Sequence, residues 1–177
     1  MLDSTARPWI THYPHGIAWD TPIPIRPVPE ILDDTIKNFG NRPAFDFMGK
    51  KSTWREVGNQ VDRFAKGLQN LGIGKGAKIG LFLPNCLHYL VAYYAILKIG
   101  ATVVNFNPLY AERELKHQID DSGVTMMVTL DLAALVDKMN VMLGQTALEK
   151  LIVCRLSDNL PPLKAFFFPF VKAKDIA

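Results

Sequence analysis

Four short apolar segments recur about every 24 residues between residues 78 and 154, and a helical pattern separates each from the next. Strands joined through helices pair in parallel, because the connecting crossover is right-handed and packs on the sheet. The spacing therefore predicts an α/β fold: an open, mainly parallel sheet with helices on both faces. The predicted strands are residues 78–83, 101–105, 124–129 and 151–154, and the helices between them are 86–98, 112–121 and 132–143.

The helix that precedes this series has the clearest start signal in the chain. Thr53 suits the N-cap position, and Glu56, three residues later, completes a capping box. Gly72 is expected to end the helix. Apolar residues at intervals of three or four give the helix one buried face, and they are Trp54, Val57, Val61, Phe64, Leu68 and Leu71.

The remaining segments suggest a chain in three parts. Residues 1–43 form an extended arm with a short helix over 30–39, residues 44–156 form the α/β subdomain, and residues 157–177 form an apolar and basic tail. The proline-rich run at 23–29 is expected to lie as a strap across the domain, and docking to a partner is the alternative. Near the start of the subdomain, residues 44–48 and 51–54 flank Gly49 and Lys50 as in a small β-hairpin.

The tail interrupts the strand–helix series at Pro161 and Pro162. Its segment from Phe166 to Phe170 is strongly apolar and is flanked by lysines at positions 164, 172 and 174. Packing against the remainder of a larger domain is the favoured interpretation, because such packing requires exposed apolar surface on each part. Contact with an anionic membrane surface, or with another partner, is the alternative.

Composition places the chain among globular proteins and excludes several functional classes. Hydrophobic residues make up 49% and charged residues 21%, and a net charge of +3 is too small to indicate a nucleic-acid surface. The N-terminus has no signal-peptide pattern, and the apolar region 81–99 is interrupted by Pro84, Asn85 and His88, so no membrane-spanning helix is expected. Cys86 and Cys154 are expected to be buried, reduced thiols, as in a cytoplasmic protein.

The glycine-rich run GIGKG at residues 72–76 has the composition of a phosphate-binding loop but not its position. Such a loop follows a strand and begins a helix, so that backbone N–H groups point at the anion. Here the glycines follow a helix and precede a strand. The run is therefore expected to form a helix C-cap and a tight turn.

Asparagines follow two of the predicted parallel strands, at the edge of the sheet where α/β proteins bind ligands. Pro84 and Asn85 follow the first strand, and Asn105 and Asn107 lie at the end of the second. Helix capping and turn formation explain these residues without a ligand. A stand-alone flavodoxin-like module, with a ligand at Pro84 and Asn105, is the alternative.

No catalytic, cofactor-binding or metal-binding residue is assigned from the sequence. Asp120 and Asp121 lie at a predicted helix C-terminus, where the helix dipole disfavours carboxylates, and neither has an evident acid–base partner. His117 and Glu114 are expected to form a solvated pair one helical turn apart. The four histidines, at positions 12, 15, 88 and 117, do not cluster, and the sequence has neither HExxH nor GxSxG.

Several segments resemble the adenylate-forming enzymes. The sequence STWREV at residues 52–57 resembles the first core motif of that superfamily, and LKIGA at 97–101, continued to Asn105, resembles the second. The sequence NFNPLY at 105–110, with EL at 114–115, DSG at 121–123 and YP at 13–14, resembles the long-chain fatty acid–CoA ligases in particular. Ala111 departs from this pattern, because the subgroup commonly has Ser or Thr there. Ala111 cannot supply the first half of a capping box with Glu114, and this is expected to lower local stability by about 1 kcal/mol.

The resemblance implies the N-terminal part of the large domain of such an enzyme. The whole enzyme would use ATP and Mg²⁺ to convert a fatty acid to an acyl-adenylate, releasing pyrophosphate. It would then transfer the acyl group to coenzyme A, releasing AMP. The family's Ser/Thr/Gly-rich phosphate loop, followed by Pro-Lys-Gly, does not occur before Ala177.

The chain is therefore expected to be a truncated piece of the ligase that is inactive alone and holds no cofactor. Its expected partner is the remainder of its own domain. The expected location is cytoplasmic, with a peripheral position at the inner face of the membrane as the alternative. The sequence gives no oligomeric state.

Overall fold

The structure is a computed structural model that describes residues 7–171 and 175–177. Every helix, strand and hairpin expected from the sequence is present, with boundaries that differ by a few residues. The helices are α1 (Val28–Phe39), α2 (Trp54–Asn70), α3 (Leu87–Lys98), α4 (Glu112–Ser122), α5 (Ala133–Gln145) and α6 (Pro162–Val171). The strands are β1 (Pro43–Phe47), β2 (Lys50–Thr53), β3 (Lys78–Phe82), β4 (Thr102–Asn105), β5 (Met126–Leu130) and β6 (Lys150–Cys154). Short 3₁₀ helices cover Pro8–His12 and Leu156–Asn159.

Four strands form a parallel sheet in the order β4-β3-β5-β6, and β1 and β2 form a separate antiparallel hairpin. The connection from β3 to β4 runs in one direction along the sheet, and the connections from β4 to β5 and β6 run in the other. Right-handed crossovers therefore place α3 on one face and α4 and α5 on the opposite face. In agreement, α3 packs against α1 and α2, while α4 packs against α5. The predicted open parallel sheet with helices on both faces is confirmed.

The centre of the sheet is dry and tightly packed. Strand β5 is buried at all five of its residues, and the β3 residues Ile79, Leu81 and Phe82 have no exposed surface. Between them, Gly80 leaves space for the side chains of Met127 on β5 and of Phe106, which directly follows β4. A Cβ atom at this position would lie 2.3 Å from Met127 Sδ and 2.9 Å from Phe106 Cε2, so no other residue fits without displacing them.

The predicted caps of α2 are confirmed at both ends. The Glu56 amide donates to Thr53 Oγ1 (3.3 Å), and the Thr53 amide donates to a Glu56 carboxylate oxygen (2.8 Å). At the C-terminus, Gly72 adopts φ +78°, its amide donates to Gln69 O (2.9 Å), and the Ile73 amide donates to Leu68 O (3.0 Å). This pair of bonds is the Schellman arrangement, which accounts for the start of the glycine-rich run.

The N-terminal arm differs from the expected strap. The side chains of Ile23 and Ile25 are 87% and 104% exposed, so this part of the arm does not pack across the domain. The alternation with proline favours a polyproline-type conformation, which directs successive side chains to different sides and prevents them from sharing one buried face. Closer to the N-terminus, the Arg7 guanidinium lies 4.4 Å from the centre of the Trp19 ring.

The C-terminal tail leaves the strand–helix series as expected and returns to two earlier parts of the chain. Lys164 Nζ donates to the backbone carbonyl of Met48 (2.9 Å), and Lys50 Nζ donates to that of Asp158, so the tail is joined to the hairpin. The Ala177 amide donates to Asp131 O (3.1 Å), just after β5. Within the described part of the chain, no helix has the length and apolar character needed to cross a bilayer.

Candidate functional site

A cleft of about 630 Å³ lies between the C-terminal ends of β3 and β4. These neighbouring strands lead into helices on opposite faces of the sheet, so the loops that follow them diverge. Open α/β sheets bind ligands at such a point of divergence. The cleft is lined by Leu83, Pro84, Asn85, Tyr89, Asn105, Phe106, Asn107, Pro108, Leu109 and Tyr110.

Asn105, the last residue of β4, is held by two hydrogen bonds. Tyr89 Oη donates to Asn105 Oδ1 (3.0 Å), and Gln118 Nε2 donates to the backbone carbonyl of Asn105 (2.9 Å). Burial, together with the neighbouring Tyr93, raises the pKa of Tyr89, so its phenol is a proton donor at neutral pH. The asparagine oxygen is thus occupied, which leaves its NH₂ group as the donor that this side chain can offer.

Asn85 does not cap α3, and the expectation that it would is wrong. The N-cap position is Cys86, and no side chain caps this helix. Helix α3 begins at Leu87, one residue later than expected, so Asn85 lies outside the position from which a side-chain oxygen reaches the first amides. Asn85 is exposed in the cleft, and none of the described hydrogen bonds involves its side chain.

Asn107 forms the turn that its sequence predicts. Its Oδ1 accepts from the Leu109 amide (3.0 Å) and its carbonyl accepts from the Tyr110 amide (3.0 Å). Lys138 Nζ on α5 then donates to the Tyr110 carbonyl (2.7 Å) and fixes the end of this loop. Leu109, between these anchors, is 87% exposed.

The cleft offers amides, phenols and apolar surface, and none of its lining residues is charged. It therefore suits an uncharged or apolar group, and it does not fit a triphosphate or Mg²⁺, both of which need charged or metal-ligating side chains. The glycine-rich run at residues 72–76 precedes β3. It therefore lies near the N-terminal end of this strand, away from the cleft at the C-terminal end. Among the described residues, no group of three or more His, Cys, Asp and Glu side chains is arranged to hold a metal ion.

Other residues considered from the sequence lie outside the cleft. Asp120 pairs with Lys116 (2.9 Å), and His88 Nε2 lies 2.9 Å from the Arg155 carbonyl. Cys86 is buried and Cys154 is partly buried, and both are free thiols. Burial raises the pKa of Cys154 to about 12, with smaller effects from nearby acidic groups, and burial also raises the pKa of Cys86.

Sequence reasoning did not identify Tyr89 as a candidate. A usable signal was nevertheless present: an aromatic residue with a hydroxyl group in the first turn of the helix that follows β3. A side chain in that turn lies near the end of the neighbouring strand. This is how Tyr89 comes to contact Asn105.

Sequence comparison identifies the family. The profile of the family described as "AMP-binding enzyme" matches residues 32–174. The chain belongs to the AMP-binding enzymes. It is 32% identical over 170 residues to the long-chain-fatty-acid–CoA ligase of Bacillus subtilis (strain 168), covering 96% of this chain and 30% of that protein. It is 35% identical over 169 residues to the enzyme of the same name from Escherichia coli O157:H7, covering 92% of this chain and 29% of that protein.

Two solved structures have the same fold. A long-chain-fatty-acid–CoA ligase (FadD1) from Archaeoglobus fulgidus superimposes with a TM-score of 0.67 and 25% identity, over 74% of this chain and 28% of that one. The N-terminal domain of FACL13 from Mycobacterium tuberculosis has the same fold, with a TM-score of 0.67 and 20% identity over 73% of this chain and 34% of that one. The present chain thus spans about 30% of the length of the curated relatives and corresponds to an N-terminal part of the AMP-binding domain.

Proposed function

We propose that this chain is the N-terminal scaffold of an ATP-dependent fatty acid–CoA ligase. The reaction of the whole enzyme would be fatty acid + ATP + CoA → acyl-CoA + AMP + pyrophosphate. The observation that carries the proposal is the similarity to long-chain-fatty-acid–CoA ligases over more than nine-tenths of the chain. A separate flavodoxin-like module is not favoured by these relatives.

Within the ligase, residues 44–156 would supply one α/β layer of the large domain, with 1–43 as an arm and 157–177 leading to the remainder. The chemistry of the cleft supports a scaffold role. The residues that line the cleft include no carboxylate, histidine, lysine, arginine, cysteine, serine or threonine. A cleft without charge cannot neutralise a pentacovalent phosphorus or a leaving pyrophosphate. ATP and Mg²⁺ would therefore be held by residues of the enzyme outside this cleft.

The cleft would contribute to ligand binding through Asn85 and the donor group of Asn105. Both amides lie at the carboxyl end of the sheet, and the Tyr89 hydroxyl group orients Asn105. An uncharged or apolar portion of a substrate or cofactor is the group that this lining would hold. Its charged portions would contact other residues of the enzyme.

Two measurements on the purified chain test the scaffold proposal. Incubation with palmitate, ATP, Mg²⁺ and CoA should yield neither acyl-CoA nor AMP, and isothermal titration should show no micromolar binding of ATP. Turnover, or micromolar ATP binding lost in the Asn85→Ala variant, would contradict the proposal. The Asn107→Ala variant is unsuitable as a control because it removes the turn. Asn38→Ala, at an exposed position of α1 outside the cleft, serves instead.

The exposed side of α6 would pack against the remainder of the large domain. Leu163, Phe166 and Phe167 are 72%, 66% and 50% exposed. If they instead bind a membrane, the chain should float with vesicles containing phosphatidylglycerol, and a Phe166→Ala/Phe167→Ala variant should not. We expect the two proteins to remain equally in the soluble fraction, and flotation of the original chain alone would favour the peripheral location.

A further inference from the structure

A small polar pocket lies between strand β2 and helix α2, outside the cleft at the end of the parallel sheet. Its volume is about 280 Å³. Residues 56, 59, 60 and 63 are spaced three or four apart, so their side chains lie on one side of the helix. The pocket is lined by Lys50, Lys51 and Ser52 from β2 and by Glu56, Asn59, Gln60 and Arg63 from α2.

The walls of this pocket carry more positive than negative charge. Lys50, Lys51 and Arg63 are cationic, and Glu56 is the one carboxylate among the lining residues. Lys50 Nζ donates to the backbone carbonyl of Asp158, which is uncharged and leaves the positive charge of Lys50 in place. Glu56 accepts from the Thr53 amide (2.8 Å) and hydroxyl group (3.0 Å), and these bonds lower its pKa, so it is ionised at neutral pH. The pocket therefore has an excess of two positive charges.

Lys51 and Arg63 have no counter-charge within the part of the chain that the structure describes. None of the described hydrogen bonds, ion pairs or ring contacts involves either side chain, and both residues are exposed. By comparison, Lys98 on α3 pairs with Asp62 on α2 (2.8 Å). An anion can therefore approach Lys51 and Arg63 without displacing an existing partner.

Packing against the remainder of the large domain does not account for this pocket. Such packing would take the unpaired charges of Lys51 and Arg63 out of water, which is costly unless each gains a counter-charge. The apolar side of α6 carries no such cost, and the cores of interfaces are depleted of charged residues. We therefore expect the pocket to face solvent in a longer chain as well, where a dissolved anion reaches it.

We propose that the pocket binds a phosphate group. The guanidinium group of Arg63 presents parallel N–H donors that match two phosphate oxygens, and the Lys51 ammonium group adds a second charge. The side-chain amides of Asn59 and Gln60, which have no partner among the described hydrogen bonds, supply neutral donors for the other oxygens. A phosphate monoester carries a charge of about −1.5 to −2 at neutral pH, which balances the excess positive charge of the walls. A carboxylate has a single charge and fewer acceptor oxygens.

Titration of the 177-residue chain, followed by ¹H–¹⁵N correlation spectra, tests the proposal. The probes are inorganic phosphate and glycerol 3-phosphate, which distinguish the free ion from an ester, at neutral pH and constant ionic strength. Exposed charge pairs each contribute little, so we expect saturable shifts of residues 50–52 and 59–63 with a dissociation constant on the order of 1–10 mM. Acetate at the same ionic strength should give no saturable shift of these residues.

Two variants and a matched control locate the binding site. Arg63→Gln should raise the dissociation constant for phosphate about fivefold, and Lys51→Gln about threefold, because each removes one charge from the pocket. Lys66→Gln removes the same charge from an exposed position of α2 outside the pocket. This control should change the dissociation constant by less than about 1.5-fold, because salt screens charges that do not contact the anion.

Three results would overturn the proposal. They are the absence of saturable shifts up to about 50 mM phosphate, binding of acetate as tight as that of phosphate, and equal effects of Arg63→Gln and Lys66→Gln. None of them bears on the fatty acid–CoA ligase assignment. A millimolar phosphate site is too weak to produce the micromolar ATP binding that tests the scaffold proposal, so each proposal can fail without the other.

Discussion

Helices α2 and α4 begin with nearly the same backbone geometry but are secured very differently. Their N-cap residues, Thr53 and Ala111, have φ, ψ angles of −86°, 162° and −71°, 161°. Thr53 and Glu56 form both halves of a capping box, whereas Ala111 has no side-chain oxygen and only the bond from its amide to Glu114 is made (2.8 Å). Five residues of α2 are buried, against two of α4.

The two helices therefore differ in how firmly the rest of the fold holds them. Helix α2 is part of a core shared with α1 and α3, and its position is determined by many contacts. Helix α4 directly follows the loop that lines the cleft, and it depends on Leu115, Ile119 and a half-complete cap. The cleft loop is therefore attached to the less secure of the two helices.

The largest expected effect comes from removing one of the two buried side chains of α4. Ile119→Ala should lower the free energy of unfolding by about 2–5 kcal/mol, because it leaves a cavity where Ile119 has no exposed surface. His117→Ala, at an exposed position of the same helix, should change it by less than about 0.5 kcal/mol. Urea denaturation measures both, and equal effects would show that α4 is not held by its buried face.

A smaller effect is expected where the cleft loop rests on the sheet. Gly80→Ala should lower the free energy of unfolding by about 1–3 kcal/mol, because the added methyl group must displace Met127 and Phe106. Gly67→Ala in α2 is the matched control: it has open space around the new methyl group and should stabilise the chain by about 0.5–1 kcal/mol. Thermal unfolding of the two variants should shift in opposite directions, and a shared direction would contradict the packing described for Gly80.

Exchanging the N-caps should bring the two helices closer in stability. Thr53→Ala should lower the free energy of unfolding by about 1 kcal/mol. Ala111→Thr should raise it by about 0.5–1 kcal/mol, since the backbone at Ala111 already has the conformation that a capping threonine needs. Guanidinium denaturation measures both changes. A loss of stability in Ala111→Thr would mean that the loop before α4 cannot accept the larger side chain.

The smallest expected effect is on the pH dependence of stability. The Thr53 amide, and then the Thr53 hydroxyl group, lower the pKa of Glu56. A carboxylate with a lowered folded-state pKa stabilises the fold above its unfolded-state pKa, and this contribution is lost as the pH falls through the folded-state value. Glu56→Gln keeps the hydrogen-bonding shape without the charge. The variant should therefore be less stable than the original chain at neutral pH and equal to it in strong acid, and a constant difference would exclude the carboxylate as the cause.

The fold could be predicted from local patterns because each pattern has one dominant physical cause. The strand spacing determines parallel pairing, the Thr53–Glu56 pair starts α2, and Gly72 ends it. The boundary of α3 could not be predicted as well, because Asn85 and Cys86 both precede an apolar helix and only the folded backbone decides which is the N-cap. The prediction that residues 23–29 lie as a strap across the domain was wrong for Ile23 and Ile25, which are exposed. Apolar character alone does not provide a surface for a side chain to pack against.

The cleft could be predicted only in part from the sequence. The asparagines that follow β3 and β4 indicated the end of the sheet at which the cleft lies. The sequence analysis explained them by helix capping and turn formation, and of the three only Asn107 forms such a turn. The contact between Tyr89 and Asn105 joins residues of different elements, and no periodic pattern within one element encodes such a contact.

The two lysine contacts between hairpin and tail have a consequence for how the molecule opens. Lys50 and Lys164 join segments 108 and 116 residues apart in sequence, each through one ammonium group on one backbone carbonyl. Such exposed, long-range links contribute little energy singly, and each closes a long loop at a cost in chain entropy. We therefore expect the hairpin and the tail to detach and reattach together, as one cooperative unit at the lower end of the chain's local stabilities.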